Sequence, residues 1–303
     1  MADPVINNSK GIFWALVSMF CAGSMTVAVR LAGDMVPSTE IVLHRFGFVT
    51  VILLGLGLCV PYFRARMRFS KWQSHLIRGS LIAVATHTGF YAITVIPLNT
   101  VAVLFFTAPI FATILGVIVH KESIGPRRIA AIAIGFLGAI IVCEPWTAID
   151  PTLWMGYGTA LLASLLFALA LTMSRGLAEA DGVFATVVSA SVVATLFSIP
   201  FVLDGFTAPQ NLNYLLILVV FLATTGLGRN IADVEQYHYG EASVVGPFSY
   251  LRLIVVAIGA YWFFDELPTA TTLIGGAIIV GSTLYIAIRD RQTSNRSKRP
   301  SAP

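Results

Sequence analysis

The stretch GIFWALVSMFCAGSMTVAVR, Gly11 to Arg30, sets the reading of the whole chain, because GYGTALLASLLFALALTMSR, Gly156 to Arg175, matches it further on. Glycine opens both stretches, Ala15-Leu16 meets Ala160-Leu161, and arginine closes both. Each is an almost unbroken run of about twenty apolar residues, the length an α-helix needs to cross ~30 Å of hydrocarbon. The far ends agree at nearly the same shift, where His120-Lys121-Glu122 pairs with Phe264-Asp265-Glu266. Each acidic end is followed by a short polar stretch and a small-residue segment, 130–142 and 275–286. Agreement at both ends of one unit implies a chain made of two copies of it.

Composition says what surrounds those copies. The 303 residues are 57% hydrophobic and 11% charged, with a mean hydropathy of +0.83. A soluble domain carries about 25% charged residues, so a soluble enzyme or nucleic-acid binder is excluded. Ten apolar runs stand out, at 11–31, 39–61, 76–96, 99–119, 127–143, 155–177, 182–203, 213–235, 242–263 and 271–288. The breaks between them are too short for a soluble domain, and 291–303 reads as a disordered basic tail. The first run is too long for a signal-peptide core and reads as a retained helix. Cys21, Cys59 and Cys143 lie inside apolar runs with no metal or disulfide spacing, so they read as packing residues and no metal or cofactor is expected.

Basic residues set the orientation. Arg64, Arg66, Arg68 and Lys71 follow the second run, Lys121, Arg127 and Arg128 follow the fourth, and Arg289, Arg291, Arg296, Lys298 and Arg299 end the chain. The alternate connections carry Asp34, Glu144, Asp150, Asp204, Asp265 and Glu266 instead. Positive charge stays inside, so both termini are expected in the cytoplasm, with the chain in the inner membrane. The net charge of +4 then needs anionic headgroups, not nucleic acid, as its partner. Five spans per copy is an odd number, so the second copy enters from the opposite side. The predicted fold is all-α and integral to the membrane: ten transmembrane helices as two inverted five-helix repeats, 11–143 and 156–288. Inverted repeats are the architecture of secondary transporters working by alternating access. A duplicated scaffold, a membrane enzyme and a non-transporting sensor are the competing readings. Against an enzyme, no Gly-x-Ser-x-Gly elbow, paired-histidine or Asp-rich metal motif is present, and no Walker loop supplies ATP coupling.

The chain resembles the EamA type of the drug/metabolite transporter superfamily. The residues carrying the likeness are Lys10-Gly11, Pro37-Ser38-Thr39-Glu40-Ile41 leading to Arg45, Asn99-Thr100-Val101-Ala102 through Pro109, Glu122, and Gly135 with Gly138. The second copy adds Glu241-Ala242-Ser243-Val244-Val245, Glu266 and Gly275-Gly276. It departs from strict symmetry where the seventh run lacks a match for Arg45 and where Pro247 precedes the position facing Pro109. The resemblance implies transport of amino acids, cofactor-like metabolites or drugs.

Ionisable residues within spans are costly and are functional candidates by default. Arg252 lies ten residues into its run, near mid-membrane, and must meet a partner or a wet cavity. Arg229 and Asp233, four apart, form either a structural pair or a carboxylate-binding arginine with its counter-ion. Glu40, His44 and Arg45 form an outer cluster, open to gate packing or to substrate attraction. Arg30 is read as snorkelling or pairing with Asp34. His87, with Tyr91 one turn on, is either a neutral histidine bonded across helices or the group that couples protons to transport. Asn230, Tyr237, Tyr250 and Trp14 add polar-tipped surface, and Tyr250 is set about 200° around the helix from Arg252. Pro109 and Pro247 are hinge or packing positions. The expected cargo is a small polar or zwitterionic metabolite with a flat ring, such as an amino acid, a vitamin like riboflavin or a nucleoside-like compound. The protein itself is expected as a monomer or a homodimer.

Overall fold

In lipid every backbone N–H and C=O must find its partner within the chain, and a helix achieves that locally. The computed structural model describes residues 7–120, 126–144, 146, 150–209, 211–239 and 246–297, and among them there is no strand. The helices are α1 Asn8–Gly33, α2 Ser38–Cys59, a single turn α3 Pro61–Arg64, α4 Trp72–Val95, α5 Leu98–Phe105, α6 Ala108–His120, α7 Pro126–Cys143, α8 Pro151–Ser198, α9 Leu212–Tyr239, α10 Arg252–Phe264 and α11 Ala270–Ser297. Among the described residues five segments are long and apolar enough to cross a membrane: Ser9–Gly33, Ser38–Cys59, Pro151–Ala178, Ala180–Val202 and Leu212–Asp233. Shorter apolar helices cover Leu98–Ala112, Ile129–Cys143, Arg252–Phe264 and Ala270–Tyr285. Side chains such as Trp262, 80% exposed, and Val51, 72% exposed, face outward. Their solvent is lipid.

The sequence marks the ends and breaks of these helices. The Asn7 side chain accepts from the Lys10 N–H at 3.1 Å, and Asp150 accepts from the Thr152 N–H at 2.8 Å, both N-caps. Gly182, with φ 88° and ψ 160°, divides α8 into two arms, 151–181 and 183–198, so the sixth and seventh runs meet at one sharp corner. The fourth run is interrupted at Phe106-Thr107, and Pro109 falls in the first turn of α6, where a missing N–H costs nothing. The ninth run is not one continuous α-helix. A 3₁₀ turn, Gly246–Leu251, contains Pro247 and leads into α10, so Arg252 is the first residue of that helix. This corrects the depth count for Arg252, which assumed α-helical rise from the start of the run. At the chain's end α11 runs on to Ser297, into the stretch read as a tail.

Packing pairs α1 with α9, α4 with α8, and α7 with α11. In the last pair backbone meets backbone: a Cβ on Gly275 would lie 2.6 Å from the Gly138 carbonyl oxygen. Glycine at both places is therefore a requirement of close approach. The bundle has two polar ends. One is the Asp34 end, where α1 finishes and α2 starts. The other is the Lys71 end, where α4 starts and α1 begins.

Candidate functional site

Three arginines converge in the interior between α1, α2, α4, α9 and α10. Arg252 donates from Nη2 to Thr26 Oγ1 at 2.9 Å, and its guanidinium stands 5.7 Å from the Phe105 ring centroid. Its Nε is buried and has no hydrogen-bond partner among the described residues. Arg45 reaches from α2 between the Phe46 and Phe90 rings, at 4.9 and 5.5 Å, and lies against Gly226 of α9. A Cβ on Gly226 would fall 2.9 Å from Arg45 Nη2, so glycine makes room for the guanidinium. Among the described residues, nothing hydrogen-bonds or ion-pairs with Arg45. One turn beyond Gly226, Arg229 Nε lies 3.4 Å from Asp233 Oδ2. Asp233 Oδ1 also accepts from the Ser18 hydroxyl and, at 3.2 Å, from the Gln236 amide. Both Arg45 and Arg252 feel the charge of Arg229. Among the described residues Asp233 thus pairs with Arg229 and acts on Arg252, while Arg45 has no carboxylate partner.

The other candidates are placed elsewhere or in other roles. Tyr250 stacks on Phe106 at 5.0 Å and donates to Thr283 Oγ1 of α11 at 2.6 Å. Its partners are thus different from those of Arg252, which bonds to Thr26. His87 Nε2 lies 2.8 Å from Ser198 Oγ, with its ring 5.8 Å from that of Phe197 and 5.0 Å from that of Phe201. Tyr91 donates to Met155 Sδ at 3.2 Å. Both residues sit in the α4–α8 seam, and no hydrogen bond or ion pair among the described residues joins them to the arginines. Asn230 is exposed, about 100° around α9 from Arg229. Trp14 is half-buried in α1. The side chains of Tyr237 and Pro247, and all of Glu122 and Glu241, lie outside the described residues.

The outer cluster divides. Glu40 is 4% exposed and its Oε1 accepts from the N–H and hydroxyl of Thr207, at 3.0 and 2.6 Å. His44 Nδ1 donates to the Glu40 carbonyl oxygen at 2.7 Å and its ring meets Phe206, so the Glu40 and His44 side chains do not pair. Arg45 turns inward, away from both. Arg30 does not pair with Asp34. It donates to the Ile93 and Ile96 carbonyls at 2.9 and 3.2 Å and meets Glu266 Oε1 at 3.5 Å. Glu266 in turn accepts from the Leu98 N–H at 2.9 Å, which locks the α4–α5 elbow to the α10–α11 turn.

Sequence reasoning missed a cluster at the Lys71 end. Asp181, 6% exposed, accepts from the Ser70 N–H at 3.1 Å, the Ser70 hydroxyl at 2.5 Å and the Lys71 N–H at 3.3 Å. His75 Nε2 donates to it at 3.0 Å, and His75 Nδ1 lies 2.8 Å from Ser189 Oγ. Its one visible signal was an Asp-Gly pair between two apolar runs, which reads as an ordinary turn. An apolar hollow lined by Leu76, Ile77, Ser80, Leu81, Val84 and Leu166 lies on the α4–α8 flank and carries no charge.

Apolar helices with outward-facing large hydrophobics and a charged, part-buried interior define a multi-pass membrane carrier. The EamA-like transporter family model matches residues 9–143 and again 154–288, and the chain belongs to that family. It is 25% identical over 294 residues to an S-adenosylmethionine uptake transporter of Rickettsia prowazekii, covering 97% of each chain. It is 26% identical to a riboflavin transporter of Vibrio cholerae, over 95% of this chain and 96% of that one. A pseudopaline exporter of Pseudomonas aeruginosa is 26% identical over 92% of this chain and 96% of its own. A solved structure described only as a crystal structure of a protein superposes with a TM-score of 0.60 at 16% identity, covering 95% of this chain and 99% of that chain. That last likeness bears on the fold alone. The chain is a multi-pass protein of the inner membrane and a small-metabolite transporter, not an enzyme.

Proposed function

We propose that the chain works by alternating access, as two inverted five-helix units with cytoplasmic termini, and holds its cargo in the arginine cleft between α1, α2, α9 and α10. The observation that carries this is the imbalance of charge: among the described residues Asp233 is the one carboxylate in an ion pair with any of Arg45, Arg229 and Arg252, and its partner is Arg229. A cation held unpaired in hydrocarbon costs several kcal/mol, and a negatively charged group on the cargo removes that cost. Among the cargo classes named above, those with a carboxylate are favoured over neutral ones. Asp233, reached by Ser18 and Gln236, offers a place for a positive group on the same molecule. Phe90, Phe105 and Phe106 supply faces for a flat ring. S-adenosylmethionine combines an α-amino-acid end with a flat adenine ring and so has all three features; riboflavin has the ring without the carboxylate. Transport is driven by a gradient, by exchange or by facilitated diffusion.

The test is uptake and counterflow in proteoliposomes with radiolabelled S-adenosylmethionine, riboflavin and a panel of amino acids. Saturable flux of carboxylate-bearing compounds, with neutral analogues rejected, is the expected result. Flux of neither class from a folded, correctly inserted protein would overturn the transport reading. Equal flux of neutral and anionic compounds would overturn the role given to the arginines.

A further inference from the structure

Two contacts at opposite ends of the bundle repeat one piece of chemistry. At the Asp34 end a single Glu40 oxygen accepts both the N–H and the hydroxyl of Thr207, at 3.0 and 2.6 Å. At the Lys71 end a single Asp181 oxygen accepts both the N–H and the hydroxyl of Ser70, at 3.1 and 2.5 Å. Phenylalanine precedes each hydroxyl, and each ring meets a histidine: Phe206 on His44 at 5.7 Å, Phe69 on His75 at 5.5 Å. The positions correspond as well. Glu40 stands in the first turn of α2, and Asp181 stands at the corner that starts the second arm of α8. These helices are the second spans of the two copies. Thr207 and Ser70 lie in the connections from second to third span, each in the opposite copy. Each carboxylate therefore closes on the other copy's loop.

We propose that Glu40–Thr207 and Asp181–Ser70 are a matched pair of latches that open in turn, exposing the arginine cleft to one side of the membrane at a time. This rests on the transport reading above. The mechanical link is short. Glu40 shares α2 with Arg45, while the loop holding Thr207 leads into α9, which carries Gly226, Arg229 and Asp233. Releasing the first latch lets α2 and α9 separate where Arg45 lies on Gly226. The second latch joins the corner of α8 to the start of α4, the helix whose Phe90 lies against Arg45. Water can replace the two donors of one Ser or Thr as a unit, so either contact breaks in a single local step.

The two latches differ in strength. Asp181 has four donors, adding Lys71 N–H and His75 to the two from Ser70. Among the described residues Glu40 has two, and its buried Oε2 has no partner. A half-satisfied buried carboxylate is the weaker contact, so the resting protein opens first at the Asp34 end, outside by the orientation argued above.

Cys21 is a native reporter of the cleft. It is half-buried, feels the charges of Asp233 and Arg229, and a Cβ on Gly228 would lie 3.4 Å from its sulfur. With Cys59 and Cys143 replaced by serine and alanine, its reaction with a membrane-impermeant methanethiosulfonate is followed in right-side-out and inside-out vesicles. Glu40→Ala is expected to raise the rate several-fold from outside only, and Asp181→Ala from inside only. Thr207→Val and Ser70→Ala, which remove one donor each, shift the rates in the same directions if an alanine variant fails to fold. Glu40→Gln and Asp181→Asn keep an acceptor and return the rates toward the parent. Equal rises on both sides, or no change in either vesicle, would overturn the latches. Those outcomes with intact flux in the parent leave the transport reading standing, whereas absent flux in the parent overturns that reading.

Discussion

Replacing Arg252 by methionine separates a cargo-binding arginine from a structural one, because the two roles predict opposite balances. Methionine keeps most of the stem and so avoids a large cavity. The fold loses the bond to Thr26 Oγ1, 2.9 Å long, and the contact with Phe105 at 5.7 Å. These are worth about 1.5–3 kcal/mol, the donor being charged, and about 0.5–2 kcal/mol. The fold also sheds a guanidinium whose buried Nε has no partner among the described residues, and insertion scales set that cost at about 2.5–3.5 kcal/mol. The gains and losses nearly cancel, so the variant should melt within a few degrees of the parent. Its cargo, by contrast, loses a charge-assisted hydrogen bond worth about 1.5–3 kcal/mol, a fall of roughly 10- to 150-fold in apparent affinity. Arg252→Lys keeps the charge but not the planar fork and should fall between the two. The assay is concentration-dependent uptake in proteoliposomes, with thermal unfolding of each purified variant beside it. An affinity within twofold of the parent would remove Arg252 from the binding site. A large drop in melting temperature together with lost binding would make it a structural residue.

Three further outcomes follow from local geometry. Gly275→Ala places a methyl 2.6 Å from the Gly138 carbonyl oxygen and 2.5 Å from Val142 Cγ2. Overpacking of that kind costs about 1–3 kcal/mol, so thermal unfolding should come several degrees earlier, while Gly276→Ala, 3.1 Å from Val103 Cγ2, is milder. Gly182→Ala meets no atom within 4 Å but forces an L residue to φ 88°; the backbone alone should cost about 1–2 kcal/mol, and an unchanged melting temperature would mean that α8 does not turn there. His87→Gln keeps a partner for Ser198 Oγ and should leave the pH profile of flux unaltered; a flattened profile would assign proton coupling to His87.

Much of the fold was legible because lipid imposes a one-dimensional rule. Long apolar runs become helices, and their breaks fall where Gly182, Pro109 and Pro247 place them. The ninth run shows the limit of that rule. Hydropathy does not distinguish an α-helix from a 3₁₀ turn, so the run places Arg252 ten residues along one helix, whereas it stands at a helix start. The candidate site was legible by cost: Arg252, Arg229 and Asp233 are conspicuous because charge within a span is expensive. Arg30 misled because the sequence offers Asp34 one turn away, while the fold brings up Glu266, whose second oxygen also holds the Leu98 N–H.

The sequence by itself determined the solvent, the helical state, the duplication and the few charged positions that needed explaining. Composition and short-range periodicity are local properties, and the bilayer acts on them directly. Only the tertiary structure decided which of those charges meet. Arg252 finds Thr26 at a separation of 226 residues, Glu40 finds Thr207 at 167, and Asp181 finds Ser70 at 111. Partners so far apart are chosen by the packing of whole helices, where small residues such as Gly226 set how closely two backbones approach. That same packing places two carboxylate latches of one design at the two ends of the bundle.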